Sequence, residues 1–349
     1  MESLGRCIDF LECGIRVTRL SDHGWNSLAA FMRREPSKRL TLVVGAGVHA
    51  QWRPKTTAES KAAQILTSWE HLVDRLHPGW ARSGEPLTVT WERLVTMETR
   101  PQALCEAGAM STRNWRTAPA YQRERALQKA ASRIVAQAEA TLLGSARVGL
   151  DHLHTVLGHA AVSDIITLNF DTIVERALMA WNSGHPMPRT TQVGYATVKN
   201  SRTHEVRVWH LHGSIRKPTS VRLGLRHYAA MIEAAESRRM QAKAQERPVN
   251  PPAPPQPSAT PPSWVSLFVH QPLLFLGVSL SEAEWDLWKA LADRMRNYTK
   301  AKNHKHLPPA WILSTPCSHC QVPTDWIQHL EERDWDSGWK RLAAVLASR

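Results

Sequence analysis

The sequence has no run approaching the roughly 18 consecutive apolar residues of a membrane-spanning helix. The N-terminal MESLGRCIDFLECGIR places acids and an early arginine inside a broken apolar stretch, which is not the pattern of a secretory leader. These absences predict a soluble, cytoplasmic, globular protein without a membrane partner. Cysteine is scarce and odd in number: Cys7, Cys13, Cys105, Cys317 and Cys320 are five in 349 residues, which argues for reduced thiols. Cys317-Ser-His-Cys320 has the spacing of half a zinc site, but no second cysteine pair completes it, and no metal is expected. Negative charge is also short, with 31 Asp and Glu against 44 Lys and Arg, a net charge of +13. The excess is spread over both halves of the chain, so no basic arm stands out. A solvated surface is the plain reading, and an anionic partner, nucleic acid or nucleotide, stays open. No internal repeat is present.

What is there suits a packed core, since 42% of residues are hydrophobic. Of the 15 tryptophans, Trp285 and Trp288 fall at helical spacing and are expected in the core, together with Leu291 and Met295 on one face. Residues 22–34 read as an amphipathic helix, and RLTLVV, ending at Val44, as a buried strand that stops at Gly45. Residues 58–76 and 86–160 are rich in Ala, Leu, Arg, Glu and Gln at helical period, which predicts a helical layer or subdomain over 55–160. Strand character returns in DIITLNF (Asp164 to Phe170), EVRVWHLHG, PLLFLGVSL and PAWILS, and residues 324–348 read as mostly helical. Thr172 with Glu175, and Ser281 with Glu284, have capping-box spacing. The segment 247–263, PVNPPAPPQPSATPP at its centre, forbids helix and central strand and reads as an extended loop. Apolar strands alternating with helices predict one α/β domain over 1–349, a doubly wound parallel sheet with the helical layer inserted.

In such folds ligands sit at the carboxyl ends of the strands. Four polar or glycine-rich segments fall there: Gly45-Ala46-Gly47-Val48, Asn169 with Asp171, His212-Gly213-Ser214, and Gly277-Val278-Ser279. Glycines at such a turn let backbone N–H groups approach a phosphate at a helix start. GAGVHA also fits a dinucleotide fingerprint, so a dehydrogenase is an alternative. Its usual acidic companion is missing, because Glu70 has the distance but SWEHLV follows no strand. Asn169 and Asp171 have a plainer reading as caps of the following helix, and His210 as a residue bonded within the sheet. In VWHLHGSI the two histidines would share a face if the strand ran through both.

The ordered set VVGAGV, ITLNFD, HLHGS and FLGVSLS resembles the sirtuin-like fold, in particular its bacterial branch of NAD-cleaving antiphage defence proteins. TSWEHLV, SVRLGLRHYAAM and DSGWKRLAAVL are similar to recurring segments of that branch. The resemblance implies NAD as substrate, with Gly45, Ala46 and Gly47 at the phosphates and Asn169 at the nicotinamide ribose or the attacking water. It places Asp171 near the carboxamide, His212 as the base, and Gly277 and Ser279 toward the adenosine side. His49 departs from the serine that sirtuins often carry there. The four-cysteine zinc module of the protein deacylases is missing, which argues against acyl-lysine removal.

The residue types suit glycosidic cleavage in their own right. Breaking the nicotinamide–ribose bond passes through an oxocarbenium-like state and releases a neutral base, so no strong acid is needed. Asn169 can hold a hydroxyl and a water together, and a neutral His212 can take a proton near pH 7. The expected activity is NAD hydrolysis to nicotinamide and ADP-ribose by an NAD-depleting defence effector. Such an effector would be held silent by oligomerisation or by a separate activating partner, such as an ATPase or a nucleic-acid-guided protein. A non-catalytic NAD or ADP-ribose sensor and a nucleic-acid-binding module are the remaining alternatives.

Overall fold

The computed structural model describes residues 22–51, 54–79, 85–106, 110–145, 151–179, 195–199, 205–229, 233, 263–280, 284–299, 307–315 and 326–348. The strands are β1 (Leu40–Val44), β2 (Val162–Thr167), β3 (Tyr195–Lys199), β4 (Glu205–His210), β5 (Leu273–Leu276), β6 (Ala310–Ser314) and β7 (Gln328–Glu331). They form one sheet in the order β3-β4-β2-β1-β5-β6-β7. Every neighbouring pair is parallel except the antiparallel β3–β4 pair at one edge. With β3 set aside, the six parallel strands rank 3-2-1-4-5-6 in chain order, the doubly wound arrangement whose direction reverses between β1 and β5. The fold is mixed α/β, a parallel sheet with flanking helices, as the alternation of apolar strands and helices predicts.

The strands are apolar because both faces of the sheet are covered. All five residues of β1 and all four of β5 are buried. Successive residues feed opposite cores: Leu40, Leu42 and Val44 join one hydrophobic cluster and Val43 the other. The first cluster takes in α1 (His23–Arg34), α2 (Thr57–Thr67), α3 (Trp69–Leu76), α4 (Leu87–Thr96), α5 (Gln102–Glu106), α6 (Thr112–Thr117), α7 (Ala120–Ser145), α8 (Asp151–Leu157) and α9 (Ile173–Leu178). The second is built on α10 (Trp264–His270) and α11 (Trp285–Thr299), while the terminal α12 (Trp335–Ala347) returns to the first. Between β1 and β2 the described residues form no strand. Trp25, Trp91, Trp115, Trp311 and Trp339 are fully buried, which accounts for much of the tryptophan content as core.

Several expectations need correction. Residues 328–331 pair with β6 as an edge strand rather than continuing a helix, because QHLE needs to bury only Leu330. The terminal helix starts later, capped by Asp334, whose side chain accepts from Ser337 N–H. Strand β3 is a second edge element outside the five strands expected. On α11 the buried residues are Asp286, Leu287, Ala290, Leu291 and Arg294, whereas Trp285 and Trp288 are only half-buried. The guanidinium of Arg294 reaches the carbonyls of Phe268, Val269, Gln271 and Pro308, so a cation sits where the pattern calls for an apolar residue. Among the described residues no helix is long and apolar enough to cross a membrane. The proline segment lies outside the described residues, save Ser263 at the start of α10.

Candidate functional site

The glycine turns after β1 and β5 meet at the point where strand order reverses. Gly45 N–H donates to Leu276 O at 3.0 Å and Gly47 N–H to Gly277 O at 2.8 Å. A Cβ on Gly47 would lie 2.8 Å from Gly277 Cα, and Gly277 itself has φ +64°. These glycines are therefore required by the approach of one loop backbone to the other, and two of the amides expected at a phosphate are already bonded. Gly47→Ala is expected to lower stability by about 1–3 kcal/mol through this contact. A thermal melt reads it, and an unchanged Tm would remove the packing account.

Beyond β2 the chain carries Asn169 and Asp171 under the glycine turn, both 3% exposed. Asn169 Nδ2 lies 3.3 Å from Gly45 O and 3.2 Å from His49 Nε2, and His49 Nε2 lies 3.1 Å from Asp171 Oδ2. One imidazole nitrogen can serve only one of these neighbours: as N–H it donates to Asp171, and as a lone pair it accepts from Asn169. Burial pushes the Asp171 carboxyl up, but the adjacent His49 and the Ile173 N–H outweigh burial and hold it below the usual carboxylate range. An ionised Asp171 favours the N–H form, which leaves the Asn169 amide to Gly45 O. Val48, in the same turn as His49, is a core residue.

The capping box expected at Thr172 and Glu175 does not form. Asp171 Oδ1 accepts from Ile173 N–H, and Glu139 of α7 accepts from Thr172 N–H at 2.9 Å and from the Thr172 hydroxyl at 2.6 Å. Glu175 instead faces His210 Nε2 at 2.8 Å, while His210 Nδ1 donates to Asn169 O at 3.0 Å. Two acceptors favour the doubly protonated ring. Burial lowers the His210 pKa, but Glu175 outweighs it and the net shift is upward. A raised folded pKa gives stability that is complete below the unfolded value, near 6.5, and is lost as pH rises through the folded value. The Tm should accordingly fall across that window in the native protein and stay flatter in Glu175→Gln. Equal slopes would refute the linkage.

Strand β4 ends at His210, so His212 does not share its face and enters a separate environment. His212 is fully buried, with its ring 5.1 Å from Trp69 and 4.9 Å from Tyr228, and Trp69 stacks on Phe170 at 5.1 Å. His212 Nε2 lies 3.0 Å from Asp286 Oδ2, whereas His212 Nδ1 and Asp286 Oδ1 have no hydrogen-bond partner. A carboxylate only accepts, so Nε2 carries a proton, and in the neutral ring Nδ1 is then the nitrogen with the lone pair. The Tyr228 phenol is pushed well above its usual range, first by burial and then by the Asp286 charge. Gly213, at φ +91°, lets the chain turn beneath Ser220, whose carbonyl oxygen would lie 2.0 Å from a Cβ.

The structure thus brings Asn169, Asp171 and Gly45 together around His49, while His212 packs against Trp69, whose ring also stacks on Phe170, the residue between Asn169 and Asp171. Ser279 is exposed, and its hydroxyl donates to Glu284. A family model described as a SIR2-like domain matches residues 163–321. A SIR2-like domain is present in part of the chain. The SIR2-like match holds Asn169, Asp171, His212 and Asp286, while Gly45 to His49 lie before it. Its presence supports NAD-related catalytic chemistry in general. No curated protein matches the chain. Among the described residues no group of three or more His, Cys, Asp or Glu could hold a metal, and Cys317 and Cys320 lie outside them.

Asp286 and Glu139 had no place in the expected site, and Glu175 was expected only as part of a helix cap. Trp69 and Tyr228 fall in segments similar to the family's without an expected role, and His49 stands only as a departure from the family pattern. Asp286 stands at i, i+4, i+8 with Ala290 and Arg294, but it is the structure that shows this stripe to be buried.

Proposed function

We propose that the protein is an NAD glycohydrolase that cleaves NAD to nicotinamide and ADP-ribose. The observation that carries this reading is the His212–Asp286 pair, a buried imidazole held through Nε2 with Nδ1 unpartnered. A buried polar atom left unsatisfied costs about 1–3 kcal/mol, and such groups concentrate at sites of chemistry. In the reaction the glycosidic bond breaks with its electron pair passing to the nicotinamide nitrogen. Water adds to the ribose carbon, and His212 Nδ1 accepts the proton that water loses. Asn169, fixed by Gly45 O on its side chain and by His210 on its backbone carbonyl, is suited to orient the ribose hydroxyls or the water. In the glycine turn the diphosphate would rely on Ala46, because the Gly45 and Gly47 amides are engaged. Asp171 would meet the nicotinamide carboxamide, and Gly277 and Ser279 would face the adenosine side.

The resemblance to defence proteins extends the proposal to an NAD-depleting effector, kept silent by assembly state or by a separate activating partner. Nicotinamide release from NAD by the purified full chain, across a protein concentration series and beside His212→Ala, tests the activity. Release by the native protein alone is the expected result, with a steep concentration dependence if assembly is the switch. Growth of the reduced cofactor's absorbance without free nicotinamide would instead identify a dehydrogenase. NAD binding with NAD left intact, including in extract of phage-infected cells, would identify a sensor.

A further inference from the structure

Helix α7 is 26 residues long and carries two acids, Glu139 buried and Glu124 half-buried, both with partners in the fold. Glu139 is engaged by Thr172 and Arg176, and Glu124 by His227 and the Trp91 indole. Its cations are not all used in this way. Arg123 is held over the Trp115 ring and by the carbonyls of Met97 and Arg116. Arg125, Lys129 and Arg133 are exposed, and none is ion-paired with a described residue. Spaced at i, i+4 and i+8, they rise about 6 Å per step along one face of the helix. They border a groove of about 260 Å³ whose floor includes Ala126, Ala130 and Met110. At its N-terminal end stands Gln122, whose amide donates to the hydroxyl of Tyr121, a tyrosine 58% exposed.

We infer that this face of α7 docks single-stranded nucleic acid. A regular ladder of free cations follows a phosphate backbone, and an exposed aromatic beside it offers a platform on which a base can stack. An acidic peptide would match the cations but would give no reason for an exposed tyrosine at the end of the groove. The small side chains of Ala126 and Ala130 leave room for the backbone to lie close to the helix. The inference stands independently of NAD cleavage, since none of these residues touches the site around His49 or His212. Their helix nonetheless reaches that site directly, because Glu139 on its far half holds the amide and hydroxyl of Thr172, next to Asp171.

The test uses fluorescence anisotropy of a labelled 12-nucleotide oligothymidine with the full chain, over a salt series. Three phosphate contacts on a single strand predict a slope of log affinity against log salt of about −2. Arg125→Ala/Lys129→Ala/Arg133→Ala should abolish most of that slope, and Lys129→Ala alone should reduce it by about 0.7. Tyr121→Ala should weaken binding roughly 5- to 150-fold with the slope unchanged, the mark of a stacking contact. Because all four side chains are exposed, circular dichroism and Tm should match the native protein. The inference is overturned if the native chain does not bind at low salt, or if the triple variant binds as well as the native chain. It is also overturned if a polyglutamate peptide displaces the oligonucleotide as well as unlabelled oligothymidine does, because the surface would then belong to an acidic protein.

Discussion

His212→Ala is expected to lower nicotinamide release by about 100- to 10,000-fold, the range supplied by a positioned general base. The effect should fall on kcat more than on KM, because Nδ1 meets the water only as its proton is lost in the transition state. The variant opens a cavity between Trp69 and Tyr228, so some loss of Tm is expected as well. His212→Gln separates the two effects: it fills more of the space and keeps a hydrogen bond to Asp286, yet has no group able to take a proton at neutral pH. If His212→Gln turns over NAD at the native rate, the base is elsewhere and the His212–Asp286 pair is structural.

The sheet was legible because a parallel strand covered on both faces needs little except apolar residues, and LTLVV, LLFL and AWILS supply little else. The edges were not, since QHLE buries a single leucine and carries no period that separates it from the helix that follows. At the site, the position of Asn169 and Asp171 just past β2 could be read from ITLNFD, but their partners could not. Asp171 looks like a helix cap, yet it stands one residue before the N-cap Thr172; one oxygen accepts from Ile173 N–H, while the second faces His49, which lies 122 residues away in sequence. The Thr172–Glu175 spacing is a sound local signal, defeated by two long-range bonds, Glu139 to Thr172 and Glu175 to His210. For the glycines, a close approach at the ends of β1 and β5 was legible, but what approaches was not. Spacing cannot say whether a glycine makes room for a phosphate or for another glycine, and Gly47 against Gly277 is the second case. Asp286 escaped notice because an acid in the first turn of a helix already has a sufficient reason to be there.

That same acid gives the second large effect. Asp286→Asn is nearly isosteric, and the carboxylate oxygen Oδ1 has no partner to lose, so the fold should hold its Tm. Catalysis should not survive unchanged. If the new amide presents its NH2 group to His212 Nε2, that nitrogen must accept, the ring proton moves to Nδ1, and the base is lost. If it presents its oxygen, the tautomer is kept but the negative charge that steadies the imidazolium formed in the transition state is gone. Either course should reduce kcat on the order of 100-fold or more, as expected when the group orienting a catalytic histidine is neutralised. KM for NAD should change little, because Asp286 acts through His212 and is a positioning residue. A residue that merely packed would lower Tm and leave kcat where it was. An Asp286→Asn protein with native kcat would show that the His212–Asp286 contact plays no part in turnover, and the assignment of Nδ1 as the base would fall with it.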